Sequence, residues 1–452
     1  MNRREFLKCA GFAAGAAALS PAGAADVAGA KEPGALLASE PMLQNPAETT
    51  MDVVFAVSDL AGGFVDVSES ADFASPRRFL SGDVRQMKLD DQVAQVRLSG
   101  LKPATRYYYR IGAKRIARER KGSGVDYRAV LGEETGSRTY SFVTSGAGAE
   151  SHFAFLTDTH EAWDTIARYH ERLAARKVPL LIWNGDACNC ADTVERLVEV
   201  YLKPKAGRAD YAAEMPVCLN PGNHEYRGLV NRELERVFAF RDPAERSVRD
   251  VQLGRNYAIR QGDIAIIGLD TADSRGDGDP RTGGLQRSAS YREAQTAWLA
   301  DALKRPEIAS APYLVATCHI PLYSHQANSN PGDVTVEEAK GRYRSDEAYW
   351  LRPCYRTWGK LLTEAKAQIV LTGHIHYYQW YGADQDRSWA QVIGGGRHVH
   401  ATKRMPVKGG VRAENYNPTF IEGSVKDGKL SITVFNLGLD AYVDEFVFSP
   451  RA

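Results

Sequence analysis

The feature that most restricts the fold of this chain is a series of short apolar runs, each ending abruptly in a cluster of Gly, Asp, Asn or His. Phe153-Ala154-Phe155-Leu156 leads into Asp158-Thr159-His160, and Leu180-Leu181-Ile182-Trp183 into Gly185-Asp186-Ala187-Cys188-Asn189. Val217-Cys218-Leu219-Asn220 precedes Gly222-Asn223-His224-Glu225, and Tyr313-Leu314-Val315-Ala316-Thr317 precedes Cys318-His319-Ile320-Pro321. Gln368-Ile369-Val370-Leu371 precedes Gly373-His374-Ile375-His376, and a further run, Ile264-Ala265-Ile266-Ile267-Gly268-Leu269, ends at Asp270. Apolar runs without alternation read as strands buried on both faces. Between them, Ile166, Tyr169, Leu173 and Ala174 recur at helical spacing, and residues 194–202, 292–303 and 355–365 also read as helices. Buried strands alternating with helices predict an α/β layered sandwich whose ligands sit at the carboxyl ends of its strands. No internal repeat is visible.

Of the ten histidines in the chain, five lie in these strand-end segments. Taken singly, each segment has an ordinary explanation, since Asp and Asn cap helices, Gly makes tight turns and His sits satisfied in cores. Five in succession after predicted strands call for a common cause. Two metal ions about 3.5 to 4 Å apart supply one, because they need a bridging carboxylate together with imidazole, carboxylate and amide ligands. In Asp158-x-His160 and His374-x-His376 the alternation of extended backbone turns both members of each pair to one side.

The N-terminal part has a different texture. Residues 51–57 and 63–67 are β-rich runs around a Gly-Gly turn, and Ala94-Gln95-Val96-Arg97-Leu98-Ser99 alternates with period two. Leu101-Lys102-Pro103-Ala104-Thr105-Arg106-Tyr107-Tyr108-Tyr109 then resembles the Leu-x-Pro-x-Thr-x-Tyr-x-Tyr signature of fibronectin type III-like domains. The domain closes with Thr139-Tyr140-Ser141-Phe142-Val143-Thr144, and the basic stretch from Lys114 to Lys121 reads as a solvated loop or hairpin. Further upstream, Asn2-Arg3-Arg4-Glu5-Phe6-Leu7-Lys8 before an Ala/Gly-rich stretch resembles a twin-arginine export signal cleaved near Ala24 or Ala25. Export through the twin-arginine machinery to the periplasm or the outside is therefore expected, with no transmembrane segment in the mature protein, since a span needs about 20 apolar residues. The expected division is a signal at 1–25, a linker at 26–40, a fibronectin type III-like domain at 41–147 and the α/β domain at 148–452.

The order and spelling of the strand-end segments, from about Phe153 to Tyr378, resemble the calcineurin-like metallophosphoesterase superfamily. That resemblance implies a four-layer α/β/β/α sandwich, here preceded by the all-β fibronectin-like sandwich. It also implies a first metal held by Asp158, His160 and His376, a bridging Asp186, and a second metal held by Asn223, His319 and His374. His224 would contact the transferring phosphate and protonate or stabilise the leaving oxygen, and a metal-bound hydroxide would attack a phosphate-ester substrate in line. The two metals would be iron, manganese or zinc, all of which accept N/O ligands. The domain arrangement and His319-Ile320-Pro321-Leu322-Tyr323 are similar to purple acid phosphatases. That group, however, has Gly where His160 stands and a metal-binding Tyr where Asn189 stands, so a protein without purple colour is expected.

Other residues have two readings each. Asn189 is compatible with a hydrogen bond to a ligand or substrate, or with a turn. His325 suits a substrate pocket or a surface loop. Asp270 suits orientation of a ligating histidine or a cap. Gly394-Gly395-Gly396 with His398 and His400 lacks the context of a phosphate loop and reads as a turn between strands. Tyr377, Tyr378, Trp380 and Tyr381 suit a pocket lining or a sheet interface. Cys188, Cys190, Cys218, Cys318 and Cys354 remain after loss of Cys9; being an odd set, they cannot all pair, and buried strand-end thiols are expected.

Composition adds mainly exclusions: 57 Lys plus Arg against 56 Asp plus Glu leaves no overall field for nucleic acid. A hydrolase of phosphomonoesters or diesters is thus the first expectation, with a phosphodiesterase of nucleotides or phospholipid headgroups behind it. The alternative from another class is a surface-binding protein with a purely structural metal site.

Overall fold

The structure is a computed structural model that describes residues 35–83, 86–118, 129–240, 253–274, 277, 285–323, 354–376, 378–397, 412–414 and 417–451. The proposed export signal, His325, Tyr377, His398 and His400 lie outside the described residues, as do most of the linker and the whole loop from 324 to 353.

Two mixed sheets stack face to face. One contains His152–Leu156, Leu181–Trp183 and Val217–Leu219 in parallel register, flanked by the antiparallel strand Thr419–Lys426. The other has Ile264–Leu269, Tyr313–Cys318, Ile369–Thr372 and Ala390–Ile393 in parallel. Alternation along each strand divides its side chains between two cores. Phe153 and Phe155 point between the sheets, where Ile182, Ile266, Val315 and Leu371 meet them. Ala154 and Leu156 point outward against Tyr169 and Leu173 of the helix Trp163–Arg176 and Leu197 of the helix Val194–Tyr201. Ala265, Ile267 and Leu314 of the second sheet likewise pack outward on Trp298 and Leu299 of the helix Ser288–Ala302. The result is the expected order of helix, sheet, sheet and helix. Each large apolar side chain withdrawn from water contributes about 1.5–3 kcal/mol, so these three-layer contacts hold the strand ends in fixed register.

The N-terminal segment forms a β-sandwich whose core includes Phe55, Val65, Val96, Tyr107 and Phe142. Its Tyr-rich strand runs Arg106–Arg118, pairs with Ala61–Ser68 and Tyr140–Val143, and carries the described part of the basic stretch, residues 114–118, as one arm of a hairpin with Ala129–Gly136; residues 119–121 of that stretch lie outside the described residues. One of its sheets does not end at the sandwich. Met42–Gln44 pairs antiparallel with Thr50–Ala56 on one side and parallel with Val217–Leu219 on the other, with Gln44 opposite Val217. The first sheet therefore runs through nine strands, from Ala441–Phe448 at one edge to Val93–Ser99 at the other. The buried Gln44 seals this junction: its amide nitrogen donates to the Val237 carbonyl (3.0 Å) and its amide oxygen accepts from the Ala239 N–H (2.7 Å).

Cys188, Cys218, Cys318 and Cys354 are buried free thiols, and the half-buried Cys190 lies 3.2 Å from an Asp192 carboxylate oxygen. Among the described residues no helix is long and apolar enough to cross a membrane.

Candidate metal centre

The five polar strand ends converge. Asp158 and His160 follow His152–Leu156, Asp186 follows Leu181–Trp183, Asn223 and His224 follow Val217–Leu219, His319 follows Tyr313–Cys318, and His374 and His376 follow Ile369–Thr372. The loops are stitched to each other: Asp158 N–H donates to the Gly185 carbonyl (3.1 Å), His160 N–H to the Asp186 carbonyl (2.9 Å) and Gly373 N–H to the His319 carbonyl (2.8 Å).

The two aspartates are the floor, 0% and 1% exposed. Asp158 accepts from the Thr157 hydroxyl (2.7 Å) and from the His374 main-chain N–H (2.9 Å). Its Oδ1 faces His376 Nε2 at 3.3 Å and His160 Nε2 at 3.9 Å. Asp186 spends Oδ1 on the His224 main-chain N–H (2.9 Å) and turns Oδ2 to His319 Nε2 (3.2 Å) and His160 Nε2 (3.4 Å). Two glycines let neighbouring loops approach these carboxylates. A Cβ on Gly222 would stand 2.2 Å from Asp186 Oδ1, and one on Gly373 would stand 2.4 Å from Asp158 Oδ2. Five of the residues that meet here, Asp158, His160, Asp186, His374 and His376, have φ between 43° and 74°, so the members of each Asp-x-His and His-x-His pair are brought to one site by left-handed turns past the strand ends and not by the expected alternation of extended backbone. Left-handed backbone is costly for residues with a Cβ and persists only where surroundings enforce it.

The potential ligand atoms fall into two groups, each within 4.8 Å: Asp158, His160, Asp186 and His376 in one, and Asp186, His319 and His374 in the other. Asp186 belongs to both. Asn223, 1% exposed, adds an amide oxygen that makes no hydrogen bond among the described residues. His319 Nδ1 donates to the Asn184 carbonyl (2.7 Å), which commits that nitrogen and leaves Nε2 for the cavity.

The electrostatics call for cations. Burial alone would raise both aspartates, yet the surrounding imidazoles hold Asp158 below and Asp186 well below the usual carboxylate range. Burial likewise opposes charging His319, but the carboxylates overcome it and push its imidazole up to about 10. Two ionised carboxylates in a buried site thus draw positive charge to themselves, and His160 and His376 bring their Nε2 atoms to 3.0 Å of each other, a contact in which one imidazole donates and the other accepts. Oxygen and imidazole donors with one shared carboxylate fit a pair of iron, manganese or zinc ions, and these Asp/His clusters are consistent with a binuclear metal site.

His224 stands at the open side. Its Nδ1 donates to the Asn189 carbonyl (2.6 Å), its Nε2 lies 3.9 Å from Asp186 Oδ2, and Arg227 Nη1 reaches that same Nε2 at 2.7 Å. Burial pulls this imidazole down to about 4 against the Asp186 charge, with Arg227 adding to the fall. Asn189 acts within the protein, its side-chain amide donating to the His160 carbonyl (3.1 Å).

Asp270 does not orient a ligating histidine. Its carboxylate accepts from the hydroxyls of Tyr226 and Tyr291 and from the Ala272 N–H, because the strand that carries it ends beside the helix Ser288–Ala302. The triple glycine is a turn: Gly394, Gly395 and Gly396 give their N–H groups to Thr372, Thr419 and His376, leaving none for a phosphate. Tyr378 is buried between the sheets, and Trp380 stacks on Phe446 at 3.6 Å, so both fill an interface.

Two participants were not assigned from sequence. Glu225, fully buried, accepts N–H groups from Asp186 (2.8 Å), Ala187 (2.8 Å), Cys188 (3.1 Å) and Gly222 (2.7 Å), locking the second loop to the third. Its place directly after Asn223-His224 was the available signal. Arg227, three residues beyond His224, had none, because its reach back to the imidazole depends on the turn at Gly228.

No curated protein sequence matches the chain. Solved structures that share its fold include the following two. Purple acid phosphatase PPD1 from yellow lupin (Lupinus luteus) seeds is 13% identical over 90% of this chain and 74% of that one, with a TM-score of 0.60. A structure of PhoD is also 13% identical, over 91% of this chain and 90% of that one, with a TM-score of 0.56. The family model for calcineurin-like phosphoesterases matches residues 151–378, the stretch that delivers every one of the Asp, Asn and His side chains described above. The chain belongs to the calcineurin-like phosphoesterase family.

Proposed function

We propose that this metallophosphoesterase is exported and releases phosphate from phosphomonoesters, with Asp158, His160 and His376 holding one cation, Asn223, His319 and His374 a second, and Asp186 between them. The observation that carries the reading is the membership of Asp186 in both ligand groups, within reach of His224. The cations, when bound, lower the pKa of coordinated water toward neutrality and screen the charge of the phosphate. The protein does the rest. Asp158 and Asp186 fix the ligand spacing through their main-chain hydrogen bonds. His224, with Nδ1 committed to the Asn189 carbonyl and Nε2 beside Arg227, turns Nε2 alone toward the ester oxygen and would protonate it only in its imidazolium form. Arg227, beside that nitrogen, offers guanidinium N–H groups to phosphate oxygens.

Export rests on Arg3-Arg4 and the small-residue stretch after it, and a folded route would let metal be loaded before the protein leaves the cytoplasm. The deciding experiment supplies purified protein with iron, manganese or zinc and measures phosphate release from a panel of monoesters and diesters. His224→Ala should keep both metals and lose about 100-fold or more in turnover. Metal binding without release of phosphate from any ester would instead favour the binding-protein reading, and faster release from diesters would reverse the order of substrates.

A further inference from the structure

Beside the metal centre lies a cavity of about 810 Å³ that none of the roles above uses. It begins at Arg227 and Tyr226 and is closed by Arg232, Arg255, Arg287 and Tyr291. Among the described residues four guanidinium groups thus face one space, against one lining carboxylate, Glu235, which lies 3.6 Å from Arg255. Among the described residues Arg227, Arg232 and Arg287 make no ion pair. Arg255 is the most informative of the four. It is 7% exposed, its Nη2 donates to the Asn231 carbonyl (3.1 Å), and its guanidinium lies over the Tyr226 ring at 4.8 Å, yet its buried Nη1 has no hydrogen-bond partner among the described residues. Tyr226 and Tyr291 are themselves held by Asp270, which fixes the wall behind that guanidinium. A charged group buried with an unmade hydrogen bond is costly unless a ligand completes it. Planar guanidinium groups are suited to the paired oxygens of phosphate and carboxylate.

We infer that this cavity receives a second phosphate group of the substrate, so that the enzyme prefers a phosphomonoester whose leaving group carries another phosphate. The inference rests on the phosphoesterase reading. Arg227 spans the two sites: one edge reaches His224 Nε2 and another lines the cavity, so a single extended substrate can place one phosphate at the metals and the other among Arg232, Arg255 and Arg287.

The test compares the metal-loaded full chain on glucose 6-phosphate, 6-phosphogluconate and glucose 1,6-bisphosphate. We expect kcat/KM to be about tenfold or more higher for the bisphosphate than for glucose 6-phosphate, chiefly through KM. Arg232→Glu and Arg287→Glu, both at exposed positions, should each shrink that ratio by about tenfold. Arg255→Lys, which keeps the charge but loses the fork, should also lower it. Equal kcat/KM for all three substrates, or a ratio that survives both charge reversals, would overturn the inference while leaving the phosphatase reading intact. Preference for 6-phosphogluconate over the bisphosphate would overturn it in favour of a carboxylate site. Absence of phosphate release from all three and from p-nitrophenyl phosphate would instead overturn the phosphatase reading on which it stands.

Discussion

The imidazole Nδ1 of His224 lies 2.6 Å from the main-chain oxygen of Asn189, so one loop sets the angle of a ring carried by another. The Asn189 loop is in turn held by its side-chain bond to the His160 carbonyl and by its N–H, which donates to Glu161 at 2.8 Å. Asn189→Ala should therefore lower kcat by about tenfold through misorientation of His224, with metal content unchanged. Metal analysis alongside steady-state kinetics checks this; loss of metal would show that Asn189 serves the ligands instead.

Glu225 joins two loops through four main-chain donors and the Tyr201 hydroxyl. Glu225→Gln is nearly isosteric but replaces one acceptor with an NH2 that faces N–H groups. We expect a loss of about 2–3 kcal/mol in denaturant unfolding, together with weaker metal retention. An unchanged unfolding midpoint would contradict the role given to this carboxylate.

Asp186→Asn removes the charge shared by both ligand groups. Stoichiometry should fall from two metals per chain to one or fewer, measured by elemental analysis after gel filtration, whereas Asn223→Ala should weaken only one of the two. Full occupancy by two metals in Asp186→Asn would dismiss a bridging role.

A chain shortened to start at residue 148 lacks Met42–Gln44, which exposes the edge of Val217–Leu219 to water and to other chains. We expect that fragment to aggregate or lack near-ultraviolet dichroism, and the full chain to melt in one calorimetric transition. A soluble, active fragment would refute the coupling of the two parts.

Burial alone would raise the Glu422 carboxyl, but hydrogen bonds from His152 (3.1 Å) and Arg176 (2.9 Å) outweigh it and hold it below the usual glutamate range. A carboxyl depressed in the folded state favours folding above its unfolded value and loses that contribution as pH falls through the folded one. Stability should therefore drop below pH 4.5, more shallowly in Glu422→Gln, as read from thermal melts between pH 3 and pH 6.

Much of this was legible because local signals and tertiary geometry agree. Phe153 to Leu156 and Tyr313 to Thr317 are buried on both faces, and an α/β sheet puts its ligands past the carboxyl ends of such strands, so Asp158 and His319 could be placed together before any coordinates. The hairpins formed by Thr419–Lys426, Lys429–Asn436 and Ala441–Phe448 carried a usable pattern, with Leu430, Ile432 and Val434 alternating with Ser431 and Thr433, that was not assigned. Asp270 and Gln44 lie beyond local reading. The partners of Asp270 are tyrosines from two distant segments, and Met42–Gln44 is a three-residue strand whose neighbour stands far along the chain. Sequence spacing carries no information about such pairings until the sheet is assembled.

The left-handed backbone at Asp158, His160, Asp186, His374 and His376 limits how this centre could be retuned for another element. Asp, Asn and His are the L-residues that best tolerate that conformation, whereas β-branched or bulky replacements resist it. An engineer wishing to introduce softer donors here would find the alphabet already narrowed by chain geometry, before coordination preference is consulted.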